Sequence, residues 1–296
     1  MTKTAYINGI LIGDDHNERK INILIENGIV TGKGYLPDET DADIALIDCK
    51  NCYILPHILG IDTDPQTPNL TGTIGPVGHQ HAYPWIPIST LLSQEPTANG
   101  QPVVGVSVTL NHDTVDAVNQ ALSPLSHWQF PIIVRWGAVF DPTEFQSMMT
   151  SLERHNRPIF LEAVTTGQML ATALTAKKHI PAVCVSASLD AFFESDSAYF
   201  IEALKANVID HLYATITPED TILLAFMIAR LTQLPLATML SRITWDIPQF
   251  FGITDGLSLG KPAQCLIVDP DLFMSVVQAK HTHTPIPDGF IRTSVV

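Results

Sequence analysis

The spacing of apolar residues changes near residue 58 and divides the chain into two kinds of sequence. Before that point, short segments alternate apolar and polar residues, which is typical of β-strands with one buried face. Asn8-Gly9 and Asn27-Gly28 separate such segments, and Asn-Gly is a common hairpin dipeptide. This part of the chain is therefore predicted to form a small β module, with turns at both dipeptides and no helix.

From residue 58 to about residue 250, apolar runs alternate with amphipathic stretches. Asp141-Pro142-Thr143-Glu144 predicts a helix start, because aspartate caps helices and proline is tolerated in the first turn. Strands that alternate with helices predict βαβ units and a parallel sheet. This region has room for about six units of roughly 30 residues, fewer than the eight of a complete barrel. The strand-like runs are PVVGVSVTL, FPIIVRWGAVF, RPIFLEAV, IPAVCVSAS and VIDHLYATI.

Two acidic residues follow the apolar run that ends at Ile61. Asp62 and Asp64 are two positions apart, so strand alternation would direct both side chains to one face. Carboxylates this close repel each other unless a cation or hydrogen-bond donors lie between them. The pattern predicts a polar site at one mouth of the sheet.

Several motifs together resemble the zinc amidohydrolases, and the dihydroorotase branch in particular. Pro56 precedes Asp62 and Asp64 where the family has Pro-Gly and then His-x-His. The segment ITWDIPQFFGITDGLSLGKPAQCLIVDPD resembles a late family segment, and AKHTHTPIPDGF is similar to the dihydroorotase ending Ser-Lys-x-x-Asn-Thr-Pro-Phe-x-Gly. The positions in register are Gly252, Gly256, Leu257, Gly260, Ala263, Asp269, Lys280, Thr284, Pro285 and Gly289.

The resemblance implies an α/β fold with two parts. Residues 57–253 would form an abbreviated TIM-like amidohydrolase barrel, and residues 1–56 and 254–296 a small composite β-sandwich. The residues themselves also favour a shared module, because both ends are rich in strand patterns and neither alone offers two faces to bury.

The resemblance further implies a metal site whose ligand positions have all changed. Asp62 and Asp64 replace the His-x-His pair, Glu162 replaces a histidine at a strand end, and Thr215 replaces the aspartate that is both ligand and base. Threonine cannot accept a proton at neutral pH, so we expect no zinc and no catalytic residue. The three carboxylates could instead bind Mg²⁺ or Ca²⁺ through oxygen, stay solvated, or pair with Arg135.

Such a protein resembles an inactive dihydroorotase, a pseudoenzyme. The resemblance implies a structural subunit for aspartate carbamoyltransferase in pyrimidine biosynthesis, within a cytoplasmic oligomer. Two alternatives stay open: an active amidohydrolase with an atypical or absent metal site, and a small-molecule sensor. Tyr83 and Trp85 lie in the Pro-rich segment GPVGHQHAYPWIPISTLL, which is predicted to be a loop. They are candidate interface residues because aromatic side chains are favoured interface anchors; the alternative is a loop that simply caps the bottom of the barrel.

Composition narrows the classes of partner. The net charge of −14 argues against nucleic acid and anionic membranes as partners. No apolar run approaches the ~20 residues of a membrane span, and the N-terminal sequence does not have the pattern of a signal peptide. The four cysteines are accordingly predicted to be reduced cytosolic thiols.

Three further groups of residues invite a chemical interpretation. Cys49 and Cys52 form a CxxC between two strand-like runs, which favours a turn and leaves redox or metal chemistry as the alternative. His79 and His81 form a His-x-His in a segment punctuated by glycine and proline, which favours an exposed loop. Ser186 has no histidine and aspartate at a recognisable spacing, so a hydrolase triad is not predicted.

Overall fold

The computed structural model describes residues 3–13, 15–34, 43–62, 72–76, 83–87, 97–98, 101–102, 104–125, 129–137, 139–213, 217–253, 257–282, 285 and 287–295. The chain divides into two compact units. One consists of Met1–Ile58 with Pro218–Val296, and the other is Leu59–Thr217. Within the described part of the chain, none of the helices has the length and apolar character needed to span a membrane.

The bounds of the elements follow chain order. The strands are β1 (Lys3–Ile12), β2 (Glu18–Glu26), β3 (Ile29–Lys33), β4 (Ile44–Asp48), β5 (Tyr53–Pro56), β6 (Leu59–Asp62), β7 (Gly72–Pro76), β8 (Tyr83–Pro87), β9 (Thr97–Ala98), β10 (Gln101–Pro102), β11 (Gly105–Thr109), β12 (Ile132–Arg135), β13 (Ile159–Val164), β14 (Val183–Ser188), β15 (His211–Tyr213), β16 (Gln264–Val268) and β17 (Ile291–Val295). The helices are α1 (Val115–Leu122), α2 (Pro142–Glu153), α3 (Gly167–His179), α4 (Ser197–Lys205), α5 (Pro218–Thr232), α6 (Leu236–Thr244), α7 (Asp246–Phe251) and α8 (Phe273–Thr282).

Both chain ends contribute to one sheet in the first unit. Its strand order is β17-β16-β5-β1-β2-β3, and β4 also pairs with β1. The ends join where β16 runs antiparallel to β5, with Leu266 opposite Leu55. Both leucine side chains are completely buried. The two chain ends therefore form one composite sheet, which depends on contacts between residues more than 200 positions apart.

Helix α6 and the residue after it cover part of this sheet. Trp245 packs in the same hydrophobic cluster as Tyr6, Ile23 and Ile54, and its indole Nε1 donates to the carbonyl of Ile12 at 2.7 Å. A buried indole N–H normally needs such a partner. Apolar burial and one satisfied polar group thus hold the helix to the sheet.

The two predicted Asn-Gly turns differ in the structure. Asn27 and Gly28 connect β2 to β3 with φ values of 48° and 81°, as expected for a hairpin turn. Asn8 has a φ of 61° but lies inside β1, where the pairing with β2 shifts register between Tyr6 and Gly9. The predicted turn at Asn8-Gly9 is wrong, because the chain forms a bulge there and continues as the same strand.

The second unit contains the predicted α/β pattern. The strand order of its main sheet is β15-β14-β13-β12-β11-β8-β7-β6. Strands β8 and β11 to β15 are parallel, whereas β6, β7 and β8 pair in antiparallel fashion. Among the described strands, β6 and β15 form the edges, and the pairing does not close into a ring. The predicted α/β fold is confirmed.

Helix α2 shows how local sequence builds this unit. The Asp141 carboxylate accepts hydrogen bonds from the backbone N–H groups of Thr143 and Glu144, and Pro142 occupies the first turn. The predicted helix start is confirmed at this position. The helix then buries Phe145, Met148 and other residues of one face.

The structure differs from the sequence-based expectations in three segments. Helices α5 to α7 group with the chain ends, so the α/β unit ends at Thr217 rather than at residue 253. Residues Tyr83–Pro87 form strand β8, paired with β7 and β11, whereas a loop was predicted. The C-terminal segment contains helix α8 where only strands were expected. For α5 to α7 the packing partners come from a distant part of the chain, whereas β8 pairs with the strands that precede and follow it.

Candidate functional site

The two faces of the parallel strands differ in chemistry. Residues that pair directly across neighbouring strands project to the same face, and alternate residues project to opposite faces. One face is apolar on every described central strand; its buried residues are Val106, Val108, Ile132, Val134, Ile159, Leu161, Val183, Val185 and Ala187. The opposite face carries a polar set that is also buried: Ser107, Arg135, Glu162, Ser186 and His211. We call these five residues the polar face.

An ion pair between neighbouring strands lies at the centre of the polar face. The Nε of Arg135, the last residue of β12, is 3.2 Å from Oε2 of Glu162 on β13. Arg135 is 8% exposed and Glu162 6% exposed. Charges so poorly solvated are stable only when they are paired and hydrogen-bonded. The pairing of Glu162 with Arg135, one of the alternatives left open by the sequence, is the arrangement found.

The backbone beside Glu162 is irregular. Ala163 has a φ of 46°, and the pairing of β13 with β14 shifts register between Leu161 and Val164. The indole Nε1 of Trp136 donates to the carbonyl of Glu162. A positive φ is uncommon for alanine, and bulges of this kind often lie next to functional sites, where they redirect a side chain.

A serine–histidine pair occupies the next two strands. Ser186 on β14 lies directly opposite His211 on β15, and Ser186 Oγ is 2.8 Å from His211 Nδ1. Both residues are buried, at 0% and 1% exposure. The His211 ring also lies 5.9 Å from the ring of Phe160. The histidine tautomer determines which group donates in this hydrogen bond.

Sequence reasoning missed this pair because the two residues are 25 positions apart. No short motif joins them, and only the parallel register of β14 and β15 brings them together. The signal that was available is the alternation in VCVSAS and VIDHLY, which puts a polar residue on the face opposite the valines.

Ser107 adds another hydroxyl to the polar face. It is completely buried on β11, and its Oγ has no hydrogen-bond partner among the described residues. Ser107 lies opposite Ile133 of β12, two residues before Arg135 on the same face of the sheet. An unsatisfied buried hydroxyl usually marks a strained or functional position.

Three of the four predicted metal-site side chains lie outside the described part of the molecule. Asp62 is the last residue of β6, and its side chain lies outside the described part of the molecule, as do Asp64 and Thr215. The same holds for His79 and His81 and for the side chains of Tyr83 and Trp85. The predicted roles of these residues therefore stay predictions.

The described residues of the polar face do not fit a zinc site. Zinc in proteins prefers imidazole, thiolate and carboxylate ligands in a tetrahedral set. Here Glu162 is held by a guanidinium group, which would repel a cation at the same carboxylate. No group of three or more His, Cys, Asp or Glu side chains that could hold a metal occurs among the described residues.

Comparison with known proteins identifies the fold. No family model matches the sequence, and no curated protein matches it. Solved structures do match. The dihydropyrimidinase from Brevibacillus agri NCHU1002 is 11% identical with a TM-score of 0.63, over 91% of this chain and 86% of that chain. A D-hydantoinase is 11% identical with a TM-score of 0.64 over the same shares. The L-hydantoinase (dihydropyrimidinase) from Arthrobacter aurescens is 11% identical with a TM-score of 0.59, over 90% and 86%.

This chain has the hydantoinase fold. Identity near 11% establishes the fold and nothing about activity. The amidohydrolase-like architecture expected from the sequence is confirmed by these likenesses. The structures compared above are hydantoinases and dihydropyrimidinases, so the narrower resemblance to dihydroorotases stays a prediction.

Proposed function

We propose that this hydantoinase-fold protein is a non-catalytic homologue of the dihydroorotases, which serves as a structural subunit in an enzyme assembly. The observation that carries the proposal is the buried ion pair between Arg135 and Glu162. Metal-dependent amide hydrolysis needs an ion that activates water and polarises the substrate carbonyl. Glu162 stands where the dihydroorotases have a metal ligand. A carboxylate that is already paired with an arginine is poorly suited to bind that ion.

The proposed partner is aspartate carbamoyltransferase, in an oligomer of the cytoplasm that takes part in pyrimidine biosynthesis. The support is the C-terminal sequence, whose Lys280, Pro285 and Gly289 match the dihydroorotase ending. Lys280 also pairs with Asp220, which links α8 to α5. This ion pair gives a residue of the dihydroorotase-like ending a structural role.

A direct test of the non-catalytic proposal is an activity and metal assay on tag-free protein. We expect no stoichiometric zinc by mass spectrometry. We also expect no hydrolysis of dihydroorotate, dihydrouracil or hydantoin above a metal-stripped blank, with or without added zinc. Measurable turnover in the native protein would overturn the proposal.

The partnership needs a separate test. The chain should be co-expressed with aspartate carbamoyltransferase of the same organism and examined by size-exclusion chromatography with light scattering. A single large species supports the partnership, and Trp85→Ala should dissociate it if the predicted interface is correct. Tyr199→Ala is the matched control, because Tyr199 is an exposed aromatic residue on α4. Two separate peaks at micromolar concentration would rule the partnership out.

One observation favours a second candidate function. Ser186 and His211 provide a hydroxyl and an imidazole on the same face as Arg135, a combination that cyclic amide hydrolysis without a metal would need. This is the active-hydrolase alternative. The activity assay separates the two functions, since only an active hydrolase shows turnover that Ser186→Ala abolishes.

A further inference from the structure

The CxxC segment has a defined conformation that the proposed function does not explain. Cys49 to Cys52 connect β4 to β5, and the backbone N–H of Cys52 donates to the carbonyl of Cys49 at 2.8 Å. Asn51 has a φ of 65°, which is typical of the third residue of a type II β-turn. The first and fourth Cα atoms of a β-turn lie within about 7 Å, and disulfides need about 4.4–6.8 Å.

Strand β1 holds both ends of this turn. The N–H of Cys49 donates to the carbonyl of Ile7 at 2.8 Å, and the N–H of Ile10 donates to the carbonyl of Cys52 at 2.9 Å. The Asp48 carboxylate accepts from the N–H of Lys50 at 3.1 Å. The separation of the two cysteines is therefore set by the sheet rather than by a loose loop.

The two thiols lie on the same side of the sheet. Cys49 belongs to the hydrophobic cluster of this unit, at 1% exposure, and Cys52 packs against the same cluster while remaining partly exposed. Neither cysteine is in a disulfide in this structure. Both side chains contact one cluster, so the turn places the two thiols on the same side of the sheet, and a rotation about the side-chain bonds would turn them from the carbonyls of Ile47 and Lys50 toward each other.

We propose that Cys49 and Cys52 form a reversible disulfide that closes this turn, so that the CxxC is a redox modification site. The oxidant is a small-molecule disulfide of the glutathione type. The thiolate of the partly exposed Cys52 attacks one oxidant sulfur, which breaks the oxidant bond, forms a mixed disulfide and releases one thiol. The Cys49 thiolate then attacks the Cys52 sulfur and releases the second thiol. Two protein thiols lose two protons and two electrons, and the oxidant becomes two thiols.

The test is a titration of the full-length protein across ratios of reduced to oxidised glutathione, with alkylation of the remaining thiols. Trypsin cleaves after Lys50, so the two cysteines fall on different peptides, and only a Cys49–Cys52 bond keeps those peptides joined. We expect joined peptides at the oxidised end that separate with dithiothreitol. Cys184 and Cys265 should be alkylated throughout after unfolding, since both are buried thiols.

Two variants test the order of attack. Cys49→Ala should accumulate a stable mixed disulfide at Cys52, because the second thiol is missing. Cys52→Ala should leave the buried Cys49 unmodified in folded protein. Circular dichroism shows whether each variant is folded. If a variant does not fold, the glutathione titration of the native chain still tests the proposal. Three results would overturn the proposal: both thiols unmodified in excess oxidant, a mixed disulfide persisting in the native chain, or a bond to Cys265.

Discussion

The two sheets of this protein bury different kinds of side chain. On the described strands of the composite sheet the buried side chains are apolar, although Arg242 of helix α6 is buried nearby. The parallel sheet buries an apolar face as well, but its other face buries Arg135, Glu162 and His211. Hydrophobic burial is a sufficient reason for the first arrangement. It is not a reason for the second, because burying charge opposes folding unless the partners are well placed.

The polar face lies where proteins with parallel α/β sheets commonly bind ligands. In parallel α/β sheets, ligands bind at the carboxyl ends of the strands, and Arg135 is the last residue of β12. Glu162 and Ser186 lie near the ends of their own strands. The composite sheet joins the two chain ends, and the polar face holds a buried ion pair near the carboxyl ends of its strands.

Of the changes that test this difference between the sheets, truncation of the chain should have the largest effect on stability. A chain that ends at residue 255 lacks α8, β16 and β17, so β5 loses the strand that covers Leu55. We expect insoluble protein, because the loss exceeds the roughly 5–15 kcal/mol by which domains are stable. A chain that ends at residue 290 is the control; it lacks only the edge strand β17 and should stay soluble. A cooperative thermal melt from the shorter chain would show that the composite sheet is not needed.

Breaking the buried ion pair should have the next largest effect. We expect Arg135→Met or Glu162→Gln alone to lower the free energy of unfolding by about 3–5 kcal/mol in urea titrations, because a charged or polar group is left without its buried partner. The double variant should lose clearly less than the sum of the two. The partly exposed pair between Lys3 and Glu26 of the composite sheet, with atoms 3.2 Å apart, is the control. Lys3→Met should change stability by less than about 1 kcal/mol. If breaking either ion pair lowered the free energy of unfolding by the same amount, the two sheets would not differ in this respect.

A smaller effect concerns how the free energy of unfolding depends on pH in acidic solution. Burial, with a further contribution from the Arg157 charge, holds the pKa of His155 below the ordinary value of 6.5. The folded state therefore binds a proton less readily than the unfolded state, and stability falls as the pH drops below about 6.5. His155→Gln should flatten this part of the profile in denaturation midpoints measured at several pH values. His179→Gln, a substitution at an exposed position of α3, is the control for the loss of an imidazole. An unchanged slope in the His155 variant would contradict the assignment.

Much of the fold could be predicted from sequence because its signals are local. The cap formed by Asp141, the helical period of GQMLATALTAKKH and the Asn27-Gly28 turn each depend on a few neighbouring residues. The partnership of the chain ends was also predictable, since each carries strand patterns with an unsatisfied apolar face. At Glu162 the sequence indicated the position and offered Arg135 as one of several partners.

The rest was decided by the tertiary structure, because strand order and register depend on residues far apart in the chain. Asn8-Gly9 has the sequence of a turn, yet the pairing of β1 with β2, β4 and β5 keeps it within one strand. Tyr83–Pro87 has two prolines, yet it is a strand between β7 and β11. Ser186 meets His211 only through the parallel pairing of β14 with β15. Local propensity selects helices, strands and turns, but the free energy that selects register comes from burying one particular face, and that face exists only once the sheet has formed.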